Sequence, residues 1–299
     1  MRRVWVLPLL LFSGFSGLAY ELLWVRLLTL SLGTTTASFS IVLAVFFGGL
    51  ALGARWAGNR SVGAKRPLAT YAALEAMTGL LGVGLYPVLK HLGVVIATVD
   101  PGTGVGGMAV RVVVSAVLLL PPTFLMGATL PFISVGTIER DDESGPGTAL
   151  IYGLNTLGAC LGAFCVTFLM LPYLGVFAST MVTAAINLTV AAIAFARSRR
   201  ADGDGAAAPA PQAEVAPADP RKRLALVFAA GLGGLVATGA QVVWARVFTI
   251  SLRGTSFGIG SVLVVVLVGI AIGSLIASAV TRRARHVATA AVTFQLLFL

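Results

Sequence analysis

Long uninterrupted apolar runs constrain this chain more than any other feature. Crossing a hydrocarbon core ~30 Å thick takes about 20 apolar residues in a helix, because lipid offers no partner to an unpaired backbone amide or carbonyl. Runs of that kind cover residues 4–32, 37–54, 68–89, 107–135, 148–171, 174–196, 224–252 and 257–280. A ninth begins near Val287 and reaches Leu299 after 13 residues, too few to cross. The reading is an all-α polytopic membrane protein with eight full spans and a partial ninth. Only 11% of the 299 residues are charged, against roughly a quarter in soluble domains, and mean hydropathy is +0.96.

A net charge of +10 would point to nucleic acid if the cations shared one soluble face, but they do not. With the N-terminus in the cytoplasm, inside segments carry 16 of the 21 cations, among them Arg55, Arg60, Lys65, Arg66, Arg197, Arg199 and Arg200. Outside loops carry Lys90 and Arg253, while Arg26, Arg111 and Arg246 fall within or beside spans. This asymmetry satisfies the positive-inside rule, so the expectation is a multi-pass membrane protein with a cytoplasmic N-terminus. Residues 1–19 imitate a secretory signal, yet the apolar run continues to Leu32 without a convincing small-residue cleavage site, so the expectation is an uncleaved first span.

Residues 197–223 are polar, rich in Ala and Pro and bounded by cations, the composition of a cytoplasmic linker. They divide a first six-helix unit, residues 1–196, from a second unit, residues 224–299. Sliding the chain by 220 residues without a gap gives 13 identities among 40 positions, from Gly14/Gly234 through Trp24/Trp244 and Arg26/Arg246 to Gly53/Gly273. The second unit therefore reads as a truncated repeat of residues 4–79. Parallel duplication of a six-helix unit is the building plan of major facilitator transporters. The same offset sets Glu21 on Gln241 and Glu75 on Gln295, so each acid meets its neutral isostere.

A charge inside a span costs about 3 kcal/mol or more, which makes such residues functional candidates. Glu21, Arg26 and Arg111 approach the outer leaflet; Glu21 and Arg26 stand about 140° apart on one helix and pair poorly there, so pairing between helices, as of Glu21 with Arg111, is the feasible contact. It would act as a structural ion pair or as part of a substrate or proton site. Glu75, with no cation nearby in its own helix, is a candidate proton carrier or contact for a cationic substrate, or else a cap for a neighbouring backbone. Asn155, Asn187 and Gln241 are expected to hydrogen-bond between helices. Gly49 with Gly53, Gly158 with Gly162, and Gly269 with Gly273 have the four-residue spacing that lets helix backbones approach closely. Pro121 and Pro122 are expected to break or kink the fourth span. Cys160 and Cys165 read as packing residues, and His91 and His286 are isolated, so neither a metal site nor a catalytic triad is expected. The stretch Gly203-Asp204-Gly205 lies in the linker and is no nucleotide loop. No cofactor and no nucleic-acid partner is expected; the lipid bilayer is.

The stretches SGFSGLAYELLWVRLL (13–28), GGLALGARWAG (48–58), YAALEAMTGLLG (71–82), FLMGATLPF (124–132) and IYGLNTLGACLGAFCVTFLMLPYLG (151–175) resemble the membrane domain of the bacterial fused transporter/spermidine synthase family. That resemblance implies a major-facilitator-like bundle and polyamine-related transport or membrane anchoring, with motif membership alone for Glu21, Trp24, Arg26, Glu75, Pro131 and Asn155. In the family a soluble aminopropyltransferase-like domain usually follows. No glycine-rich strand-loop-helix and no aspartate cluster for such an active site occurs in this sequence, so aminopropyl transfer is not expected of it. A small cationic substrate or a soluble aminopropyltransferase-like partner is the expectation, with a fragment of a longer fused enzyme as the alternative. The loop 58–66 loosely resembles the major facilitator signature loop, with Asn59 where that loop has an acid.

Overall fold

A computed structural model describes residues 5–33, 36–99, 102, 104–137, 144–203, 220–251 and 257–281. Among them every regular element is helical: α1 (Val6–Leu32), α2 (Thr36–Ser61), α3 (Pro67–Val99), α4 (Val105–Thr137), α5 (Ser144–Cys165), α6 (Leu171–Gly203), α7 (Pro220–Ser251) and α8 (Phe257–Thr281). A π-helical turn, Val166–Met170, joins α5 to α6. The partial ninth span, and with it Gln295, lies outside the described residues.

Among the described residues, six helical regions are long and apolar enough to cross a bilayer, where the hydropathy leads one to expect eight full spans. The difference arises at two places. The region Leu150–Arg200, 51 residues, takes in α5, the π turn and α6 together, and within the 25-residue α8 the apolar stretch delimited by described side chains is Phe257–Ile270. The long region does turn once, at Gly175, whose φ of 72° is the left-handed conformation that a side chain disfavours. The prolines do not break the fourth span: α4 continues as one helix through Pro121, Pro122 and Pro131. The Thr123 hydroxyl donates to the Leu119 carbonyl at 2.6 Å, in the stretch where proline removes backbone donors. Helix occupies both ends of the expected linker, since α6 continues to Gly203 and α7 starts at Pro220.

Packing follows the small residues. α1 lies chiefly on α5, α2 on α4 and α3 on α6, with α8 on α5 and α7. A Cβ at Gly158 or Gly162 would run into the Leu11 or Phe15 carbonyl of α1, and one at Gly14 into the Asn155 carbonyl of α5. On the other side Gly49 faces the Thr123 side chain and Gly53 the Phe124 carbonyl. The expected close approach is thus realised by these four glycines of the two spaced pairs. Gly269 and Gly273 differ, because a Cβ there would meet nothing within 4 Å.

Three apolar clusters hold the bundle. One, around Trp24, Phe46, Leu89 and Leu119, fills the end where α1 finishes; another, around Leu10, Tyr71, Phe132 and Val190, fills the end where it starts. The third joins α1, α5 and α8 through Leu23, Ala163 and Leu267. Cys160 and Cys165 are free, half-buried thiols packed against this third cluster. The outward faces stay apolar, with Leu30, Val117 and Phe228 all more than 60% exposed, which suits lipid and not water.

A candidate polar cavity within the helices

Between the clusters lies a cavity of about 640 Å³. α1 supplies Ser13 and Glu21, α3 Glu75 and Thr78, α5 Asn155, α6 Asn187 and α7 Gln241. Apolar residues such as Leu50, Met126 and Leu267 make up most of the remaining wall, and no Lys, Arg or His is among the described residues that line it.

The two acids are differently housed. Glu75 is 1% exposed and accepts two hydrogen bonds, from Ser13 Oγ on Oε1 and from Asn187 Nδ2 on Oε2. The fully buried Tyr71, one turn earlier on α3, brings its hydroxyl beside the same carboxyl. Spacing accounts for this grouping, because residues four apart share one face of α3. Glu75 therefore fastens α1, α3 and α6 together. Glu21 is 2% exposed, and its Oε2 has no hydrogen-bond partner. Thr78 Oγ1 and Asn187 Oδ1 are likewise buried without partners, and all three belong to residues of the cavity wall. An unmet buried polar atom costs about 1–3 kcal/mol, and more when charged, so the wall has a standing demand for hydrogen-bonding groups.

Of the candidates from sequence, Glu21, Glu75, Asn155 and Gln241 meet at this cavity, and Asn187 makes the interhelical bond expected of it. Arg26 and Arg111 stand elsewhere. Arg111 Nε donates to the Leu32 carbonyl at 2.9 Å and its Nη1 to the Gly102 carbonyl at 3.4 Å, so it does not pair with Glu21. The reason is depth. Leu32 is 11 residues beyond Glu21 on α1, about 16 Å along the axis. Arg26 is half-buried on α1 and outside the cavity wall. Ser13, Tyr71 and Thr78 were not singled out by sequence; the available signal was that Tyr71 and Thr78 flank Glu75 at helical spacing. No cluster of His, Cys, Asp and Glu able to hold a metal occurs among the described residues.

Against curated proteins, the chain is 30% identical over 189 residues to Polyamine aminopropyltransferase 2 of Streptomyces coelicolor, covering 59% of this chain and 31% of that one. It is 27% identical over 205 residues to Polyamine aminopropyltransferase of Corynebacterium efficiens, covering 64% and 35% respectively. The chain thus spans about a third of the length of the curated relatives it matches. No protein-family model and no solved structure matches. The chain thus carries apolar helices long enough to cross a bilayer and is similar, over about 60% of its length, to part of the polyamine aminopropyltransferases.

Proposed function

We propose that the chain forms a major-facilitator-like bundle, with α1–α6 as the first unit and α7–α8 opening the second, and that its cavity passes a small polyamine-like cation across a bacterial inner membrane. One observation carries this reading: Glu21, Glu75, Asn155 and Gln241, drawn from both sides of the linker, converge on a single cavity without a basic residue in its described wall. Gln241 is the residue that the 220-residue repeat equates with Glu21, as expected of two duplicated units facing one central path. Two further equated pairs, Val42/Val262 and Leu43/Leu263, are buried in both units. A cytoplasmic N-terminus is supported by Arg197 over the Trp5 ring and Arg60 over the Trp56 ring, where cationic and aromatic residues meet at one end of the bundle.

The test is uptake of radiolabelled spermidine by proteoliposomes holding the full chain. Time-dependent uptake is expected, with a loss of tenfold or more in Glu75→Gln, whose altered carboxyl weakens the joint of three helices. Uptake unaffected by that substitution counts against the reading.

Similarity to aminopropyltransferases favours a second reading, a non-transporting scaffold that holds a soluble synthase at the membrane. It requires a synthase to co-purify with the tagged chain from membranes. Isolation without one removes that reading.

A further inference from the structure

Two acids share the cavity, but only one has an oxygen left without a donor. Both carboxyl oxygens of Glu75 are taken, by Ser13 and Asn187, and these partners lie on helices other than its own. Glu21 Oε2 is buried, unpartnered and part of the wall. The Ser13 bond also sets the two acids on a common scale. Glu21 lies eight residues past Ser13 on α1, about 12 Å along the axis and about 80° around it, so the acids occupy separate levels of the cavity.

We infer that Glu21 is the recognition group of the cavity, accepting the N–H donors of a primary ammonium at the end of an aliphatic solute, while Glu75 is a positioning residue that joins α1, α3 and α6. This rests on the cavity being a solute site, as proposed above. A primary ammonium brings three donors to an acceptor that has none, and the apolar wall accepts an alkyl stem. Hard divalent cations fit poorly, since they take six or more oxygen ligands, both Glu75 oxygens are already bonded to Ser13 and Asn187, and Glu21 alone offers a free carboxyl oxygen. A quaternary ammonium brings charge without a donor, so it leaves the Glu21 oxygen as unmet as before.

The experiment is equilibrium binding of radiolabelled pentylamine to the full chain in lipid nanodiscs, with pentyltrimethylammonium as competitor. Pentylamine is expected to bind at least tenfold more tightly than the quaternary ion. Glu21→Gln is expected to weaken it tenfold or more with an unchanged thermal midpoint. Glu75→Gln is expected to lower the midpoint and weaken binding by no more than threefold. Should Glu75→Gln fail to fold, Ser13→Ala removes one of its donors and carries the same expectation. Glu21→Gln binding within threefold of the parent, equal losses in both variants, or no preference for pentylamine overturns the inference. The proposed transport fails separately: binding lost in Glu21→Gln, with no spermidine uptake by the parent, overturns transport alone. Uptake undiminished in Glu21→Gln overturns this inference alone.

Discussion

α1 and α7 carry the same residues at Gly14/Gly234, Trp24/Trp244, Arg26/Arg246 and Thr29/Thr249, yet the structure treats the two helices unlike each other. Trp24 is 1% exposed and stacks on Tyr20 with ring centroids 4.9 Å apart, whereas Trp244 is 56% exposed. Gly14 receives the Asn155 carbonyl of α5, while Gly234 has open space around it. What the two helices keep in common is the cavity side, with Glu21 and Gln241 both buried and both in the wall. They also share a local bond: the Thr29 and Thr249 hydroxyls each donate to the carbonyl four residues back at 2.7 Å. Identical residues thus fix what a helix does with its own backbone, and neighbouring helices fix whether a ring is core or surface.

The contrast can be broken by substituting both members of each pair. Replacing Gly158 or Gly14 by Leu forces side-chain atoms into a neighbouring backbone, and is expected to cost more than about 3 kcal/mol or to prevent folding. Gly234→Leu and Gly269→Leu are expected to stay within about 0.5 kcal/mol of the parent, read from thermal midpoints in detergent. A Gly269→Leu chain as damaged as Gly49→Leu would mean that α8 is packed where it now has open space. Next in size is the tryptophan pair. Trp24→Ala empties a buried ring site and is expected to cost about 3 kcal/mol, against less than about 1 kcal/mol for Trp244→Ala. Below these comes Asn187→Ala, which takes one donor from Glu75 and is expected to cost about 1–3 kcal/mol. Exchange of Asn187 for Asp, which keeps the shape and replaces the donor by a second acid, is expected to be worse. Smallest are Thr29→Val and Thr249→Val, each expected to change stability by less than about 1 kcal/mol and by similar amounts. Effects differing severalfold between those two would show that Thr29 serves α1 through something other than its own helix.

Much of the bundle was legible because lipid tolerates so few solutions: apolar runs become helices, and the helices begin within a few residues of the starts the hydropathy predicts, although α2, α3 and α6 run on past the predicted ends to Ser61, Val99 and Gly203. The polar residues of the cavity were legible as a set for the same reason, since a carboxyl or amide inside a span has to face protein. What sequence could not give was depth across helices. Counting inward from the outer ends of two spans sets Arg111 level with Glu21. α3 and α4, at 33 residues each, are longer than the 27-residue α1, so such counting misplaces them. The hydroxyls of Ser13 and Thr78 escaped notice because most such groups in these helices bond to their own backbone, as Ser16, Thr123 and Thr180 do. The uninterrupted course of α4 through three prolines was hidden because the residues that tolerate them, such as Thr123, are ordinary in an apolar helix.

The unequal helix lengths have a consequence at the rim. A Cβ on Gly93 of α3 would touch Ser31 near the end of α1, which leaves the six residues to Val99, about 9 Å of helix, beyond that level. Arg111 spans this step, bonding the last carbonyl of α1 below and the Gly102 carbonyl above. A guanidinium at the negative end of a helix is stabilised by the aligned backbone dipoles, which lowers the cost of its charge at the edge of the hydrocarbon. The bundle consequently has a tall wall and a low wall at that end. Anything arriving from that side meets the α3–α4 tip first and reaches the interior past the lower tip of α1.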